Sequence, residues 1–319
     1  MVCAFEGIIH RGIHLRHHGV LLPHWDEFVN ALAQYQKHSY CNNRGMRFLC
    51  IKHMELHPDV LDMLAPVLKS INMSGFALAY TEFRSKGVSF AADIVESNHN
   101  LKNFPLSCNP ISIDDADYLH CIYNSIASKT FFNSVFIGVC IDGNNPEILG
   151  IILNSAGYLS HLGLCSNGIR SRGVALIANF VVTNPVMKRL DLGNNILNDN
   201  DAALLANSLQ GNTKLKHISL EGDNISEVGR RALLRALFNT SNLNSSADSN
   251  HTCRVYGLEP DISAINTSVS ASNRALQTYT VLSVTDQEFF NMNYLSGVSF
   301  KLVPEALILT QQFTSRVIH

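Results

Sequence analysis

The chain has 319 residues, 46% of them hydrophobic, and its 24 Lys+Arg against 26 Asp+Glu leave a formal charge of −2. That much apolar material at so low a charge excludes a mainly disordered chain. Balanced charge without a Lys/Arg block argues against a general nucleic-acid surface, and no apolar run approaches the ~18–20 residues that a helix needs to cross a bilayer.

Residues 1–45 read as an N-terminal cap. Met1 to Arg16 lacks a signal peptide's order of basic segment, apolar core and small-residue cleavage site. The expected location is therefore the reducing cytoplasm, with the eight cysteines as free thiols. The Asn-x-Ser/Thr matches at Asn72, Asn224, Asn239, Asn244, Asn250 and Asn266 are then by-products of Asn- and Ser-rich loops. His10, His14, His17, His18 and His24 suggest a metal, because imidazoles four apart face one side of a helix. Gly12 and Gly19 oppose a long helix, and Asp26 and Glu27 are the first acidic residues at ligand spacing, so no metal is assigned. Trp25, Phe28, Val29, Leu32 and Tyr35 share one face of a predicted helix, expected to cover the open edge of the first repeat.

Repeats are predicted over residues 46–265, about eight of them. Three set the pattern, with apolar residues at relative positions 0, 3 and 5 and Asn or Asp at 8: Leu159, Leu162, Leu164, Asn167; Met187, Leu190, Leu192, Asn195; Leu215, Ile218, Leu220, Asp223. Their starts are 28 residues apart both times, a period typical of stacked units that bury their apolar faces on one another. The pattern extends upstream to Leu101 (Phe104, Leu106, Asn109) and Phe132 (Val135, Ile137, Cys140). Weaker matches begin at Met46 (Leu49, Ile51, Met54), Leu68 (Ile71, Met73, Phe76) and Cys253 (Tyr256, Leu258, Asp261). Pro105 stands out, since it removes an amide that a central strand needs.

Within a repeat, the alternation of Leu162 and Leu164 around Gly163 predicts a short strand with both leucines inward. A helix follows. Asp199 or Asn200 is expected to cap one helix and Ser226 the next. Strand, turn, helix and return form one right-handed crossover, so successive strands should pair in parallel. The residue at position 8 has a specific task. Asn167 and Asn195 offer both donors and an acceptor to the turn behind the strand, and Asp223 only an acceptor. Asn239 to Asn250 reads as an inserted surface loop. Residues 266–319 read as a C-terminal cap with helices over Asn273–Leu282 and Pro304–Phe313.

The pattern from Leu159 to Leu237 resembles the leucine-rich-repeat proteins, and a 28-residue unit with a full helix is similar to their ribonuclease-inhibitor-like class. Ser249, Asn250, His251, Thr252 and Cys253 resemble the opening of a last repeat in that class. The resemblance implies an α/β fold: a right-handed horseshoe solenoid, its parallel sheet on the concave side and its helices on the convex side, binding proteins on the concave face.

No catalytic set emerges. His161 and Cys165 lie about 13 Å apart along one strand, too far for proton transfer. The turns at Asp142–Asn145 and Leu192–Asn195 lack the Gly and Lys spacing of a phosphate loop. What remains is a surface at relative positions 2, 4, 6 and 7. It supplies His161, Arg189, Asp191, Asn194, His217, Ser219 and Glu221 as candidate partner-binding residues, interleaved with Gly163, Gly193 and Gly222. The expected function is a non-enzymatic, monomeric protein-interaction scaffold that uses no cofactor, nucleic acid or membrane. The alternative is activation of a small GTPase, since such repeats resemble the Ran GTPase activator, although the acidic tail of that protein is missing here.

Overall fold

The computed structural model describes residues 15–42, 46–82, 84–129, 134–138, 140–267 and 270–283. The expected helix over Pro304–Phe313, the strand-leading Phe132, and His10 and His14 lie outside the described residues. Along the described residues strand and helix alternate, except for two successive helices before the last strand: α1 (Leu22–Asn42), β1 (Leu49–Lys52), α2 (Pro58–Ser70), β2 (Phe76–Ala79), α3 (Ser85–Ser97), β3 (Asn103–Ser107), α4 (Ala116–Ala127), β4 (Ser134–Gly138), α5 (Pro146–Ala156), β5 (His161–Gly163), α6 (Ser171–Val182), β6 (Arg189–Asp191), α7 (Asp199–Leu209), β7 (His217–Ser219), α8 (Glu227–Leu237), α9 (Leu243–Ala247), β8 (Arg254–Tyr256) and α10 (Ser270–Ser283). Among the described residues, eight strands follow chain order in one sheet, and this arrangement is an α/β solenoid. The chain divides into two compact units. One comprises residues up to Ile169 together with Leu190–Asn195, the other Arg170–Arg189 and the residues from Ile196 on.

In the first unit, register follows the apolar pattern. Leu49 and Ile51 pair with Phe76 and Leu78, Phe104 and Leu106 with Val135 and Ile137, and Val135 with Leu162. All of these side chains are buried. Parallel pairing in register stacks like on like, as the Phe76 and Phe104 rings show, 6.1 Å apart. This register corrects the phase expected at Leu68. Phe76 pairs with Leu49, so it holds position 3 of a unit starting at Met73, while Leu68 belongs to α2. Pro105 stays within β3. Its β4 side is continuous through Pro105↔Phe136, whereas pairing to β2 occurs at Gly75↔Asn103 and resumes at Leu78↔Leu106. The missing amide interrupts the one ladder that required it.

The position-8 residues form the expected ladder. Asn109 Oδ1 accepts from the Thr81 amide and hydroxyl at 2.8 Å each, and its Nδ2 donates to the carbonyls of Leu78 and Ser107 at 3.1 Å. Cys140 takes the next rung, its thiol lying 3.1 Å from the Leu106 carbonyl and 3.2 Å from that of Gly138. Asn167 Oδ1 accepts from the amides of Cys140 and Ile141, and Asn195 Oδ1 from those of Asn167 and Ile169. One residue earlier in most units the backbone is left-handed, at His53, Tyr80, Cys108, Ser166 and Asn194. That conformation turns the chain from strand direction into the ladder.

In the second unit, Leu197 donates its amide to Asp223 Oδ1 at 3.2 Å, the acceptor role expected of an acid at this position. Asn198, rather than Asp199 or Asn200, caps α7. Its extended backbone lets its side chain accept from the amides of Asn200 and Asp201, while Asp201 returns the bond to Asn198. Asp199 instead crosses to α8, accepting from the amide and hydroxyl of Ser226 and the amide of Gly229. Ser226 caps α8 as expected. A second ladder runs where helices return to strands. Asn212 and Asn250 accept from the amides that open β7 and β8, and Asn250 Nδ2 donates to the carbonyls of Leu209 and Asn212. The stretch expected as a loop contains α9, because Asn242 caps it through the Ser245 amide and Leu243 is buried.

Candidate partner-binding face

Short strands with alternate residues inward leave the other side chains on the opposite face of the sheet. In the first unit this places half-buried His161 on β5, half-buried Asp191 on β6 and exposed Asn194 in the following turn. Asp191 Oδ1 accepts from the Gly193 amide at 3.1 Å, so part of its carboxylate serves the turn. Two glycines here are covered by aromatic rings from the preceding turn of the chain. A Cβ on Gly163 would meet the Phe136 ring at 2.2 Å, and one on Gly75 would meet Phe48 at 2.2 Å. The space beside Gly163 is therefore filled by Phe136 rather than open to a partner.

In the second unit, Arg189 and Glu221 are exposed and His217 and Ser219 half-buried, while Ile218 and Leu220 between them are fully buried. His217 pairs with Arg254 and Ser219 with Tyr256. The His217 and Tyr256 rings stack at 5.7 Å, and the Arg254 guanidinium lies 5.3 Å from the Tyr256 ring centroid. Arg254 Nε is anchored on the Ser263 carbonyl at 3.1 Å. This register corrects the last repeat. Val255, not Tyr256, sits beside Ile218 and faces inward, and Tyr256 faces outward beside Ser219.

Cys165 is not arranged as a nucleophile. Burial, and after it the nearby Asp191 carboxylate, holds its thiol above the usual range, which disfavours the thiolate that such chemistry needs. Among the described cysteines, Cys50, Cys108, Cys121, Cys140, Cys165 and Cys253 are all free thiols, and no described helix is long and apolar enough to cross a membrane.

No protein-family model and no curated protein matches the sequence. Among solved structures, the chain is similar to an internalin from Listeria monocytogenes, at 15% identity and a TM-score of 0.35, over 59% of this chain and 45% of that one. It is also similar to a protein from Bacteroides fragilis, at 12% identity and a TM-score of 0.41, over 59% of this chain and 62% of that one. In both cases the match spans less than two thirds of the other chain.

Arg254 and Tyr256 are absent from the residues expected on this face because a repeat starting at Cys253 puts Tyr256 inward. The legible signal was the alternation of Cys253 and Val255, both buried, around Arg254. The histidine run near the N-terminus divides on folding. His18 caps a short turn by accepting from the Val20 amide, His24 lies 3.8 Å from Glu27, and His17 packs against His57, forty residues or so downstream and beyond the reach of local spacing.

Proposed function

We propose that this chain is a non-enzymatic interaction module of the ribonuclease-inhibitor-like class, which binds a protein partner through the strand face of its second unit. The observation that carries this reading is the division of labour along the strands. Ile218 and Leu220 are fully buried, whereas Arg189, His217, Ser219, Glu221, Arg254 and Tyr256 alternate with the inward residues and add little to the core. Arginine and tyrosine are the side chains that most often anchor protein interfaces. Here the pair is pre-arranged by stacking and by the Arg254 bond to Ser263, so little ordering entropy is lost on association. His161, Asp191 and Asn194 offer a polar surface of the same kind on the first unit. The partner is a protein rather than a nucleic acid, since the charge of the chain is balanced, and six buried or exposed free thiols accord with a reducing compartment such as the cytoplasm.

The test is affinity capture from native lysate with the full chain and with Arg254→Ala/Tyr256→Ala, each checked for an unchanged melting curve. A protein captured by the first and lost with the second supports the reading. Identical capture by both removes this face from the function.

A further inference from the structure

We propose a divalent metal site of the zinc class, formed by His17, His57 and Asp59 in the first unit. His17 is distant in sequence from the other two and meets them because the segment before α1 lies along the residues that follow β1. Leu15 forms a parallel bridge with Met54, its amide donates to the His53 carbonyl at 3.0 Å, and its carbonyl accepts from the Glu55 amide at 2.8 Å. Two residues on, the His17 amide donates to Glu55 Oε2 at 3.0 Å. That fixes the His17 backbone and lays its ring on His57, with centroids 4.2 Å apart and planes 13° from parallel.

One ligand atom from each of His17, His57 and Asp59 falls within 4.8 Å of the others. Metal–ligand bonds of about 2.0–2.2 Å put the ligands of a tetrahedral ion roughly 3.5 Å apart. His57 and Asp59, 41% and 63% exposed, have room to rotate toward that spacing. Two imidazoles and one carboxylate form a borderline donor set that suits zinc-class ions rather than calcium or magnesium. His17 Nδ1 is buried with no hydrogen-bond partner among the described residues. An unfilled polar atom in a buried position calls for a ligand.

The groups around the set fit a cation. His57 caps α2, accepting from the Asp59 amide at 3.4 Å, and its Nδ1 lies 3.2 Å from Asp59 Oδ2. A helix N-terminus disfavours positive charge, and the Asp59 carboxylate with Glu55 beside His17 offsets that. Imidazole lone pairs lie in the ring plane, so the two rings would turn out of their stack to share one ion, with His57 offering Nε2 because its Nδ1 accepts the Asp59 amide. It would also clamp the segment before α1 to the start of α2.

The experiment is titration of the full chain, stripped with a chelator, with Co2+ followed by electronic absorption and with Zn2+ followed by calorimetry. One ion per chain is expected, with the d–d intensity of a four- or five-coordinate nitrogen and oxygen site. Zn2+ should also raise the melting temperature. His17→Ala and His57→Asn should each weaken binding at least tenfold; Asn is chosen at 57 because it keeps the α2 cap and so separates ligand loss from helix loss. Absence of stoichiometric binding, binding by either variant as tight as that of the wild type, or a sulfur-to-cobalt charge-transfer band assigning the ion to cysteine would each overturn the proposal.

Discussion

Asn195 is the rung at which the ladder can be tested quantitatively. Its Oδ1 accepts the amides of Asn167 at 2.9 Å and Ile169 at 3.0 Å, and its Nδ2 donates to the carbonyls of Leu164 and Leu192. The residue is only 6% exposed, so water replaces few of these bonds. Asn195→Ala orphans two buried amides, each at a cost of about 1–3 kcal/mol, with a smaller share from carbonyls that keep a second lone pair. The expected loss is about 3–5 kcal/mol, measured as the shift in urea midpoint multiplied by m. Asn195→Asp keeps the acceptor and loses the donor, so it should retain the bonds to Asn167 and Ile169 and fall between the wild type and the alanine variant. A loss below about 1 kcal/mol for Asn195→Ala would refute the argument that side chains at this position hold the turns.

Leu190 is fully buried, and Leu190→Ala should cost about 2–5 kcal/mol by leaving a cavity. Arg189→Ala with His217→Ala should cost about 1 kcal/mol, chiefly the stacking of His217 on Tyr256, so paired thermal melts that reverse this order would invert the assignment of faces. Gly257 has φ +84°, and a Cβ there would lie 2.3 Å from the backbone of Glu221; Gly257→Ala should destabilise by on the order of 3 kcal/mol, read by chemical denaturation, and a neutral result would show that the turn yields. Burial pushes the Cys140 and Cys253 thiols up to about 12 from an ordinary 9.0, so iodoacetamide at pH 8 should label Cys50 and Cys121 well before either, as peptide mass spectrometry would show. Both thiols bind their protons more tightly when folded. Their contribution to stability is therefore complete below about pH 9 and is lost as pH rises toward about 12, a decline that urea titration across that window should detect.

The sequence by itself determined the elements whose chemistry is local and periodic. Leucines at positions 3 and 5 dictated inward-facing strands, and Asn at position 8 announced a turn that needs both donors and acceptors, which Asn167 and Asn195 supply. Even the exceptions at Cys140 and Asp223 stood at the right places, because a ladder position is fixed by the turn it serves. Where the period stretches, pattern alone failed. Phe76 and Tyr256 are apolar enough to fit either phase, and only pairing with Leu49 and Ser219 decided which face each one takes. Contacts such as Phe136 over Gly163, His217 on Tyr256, and His17 against His57 and Asp59 were decided by tertiary structure alone. They join residues that no local spacing relates, and they arise only once parallel register has brought separate turns of the chain side by side.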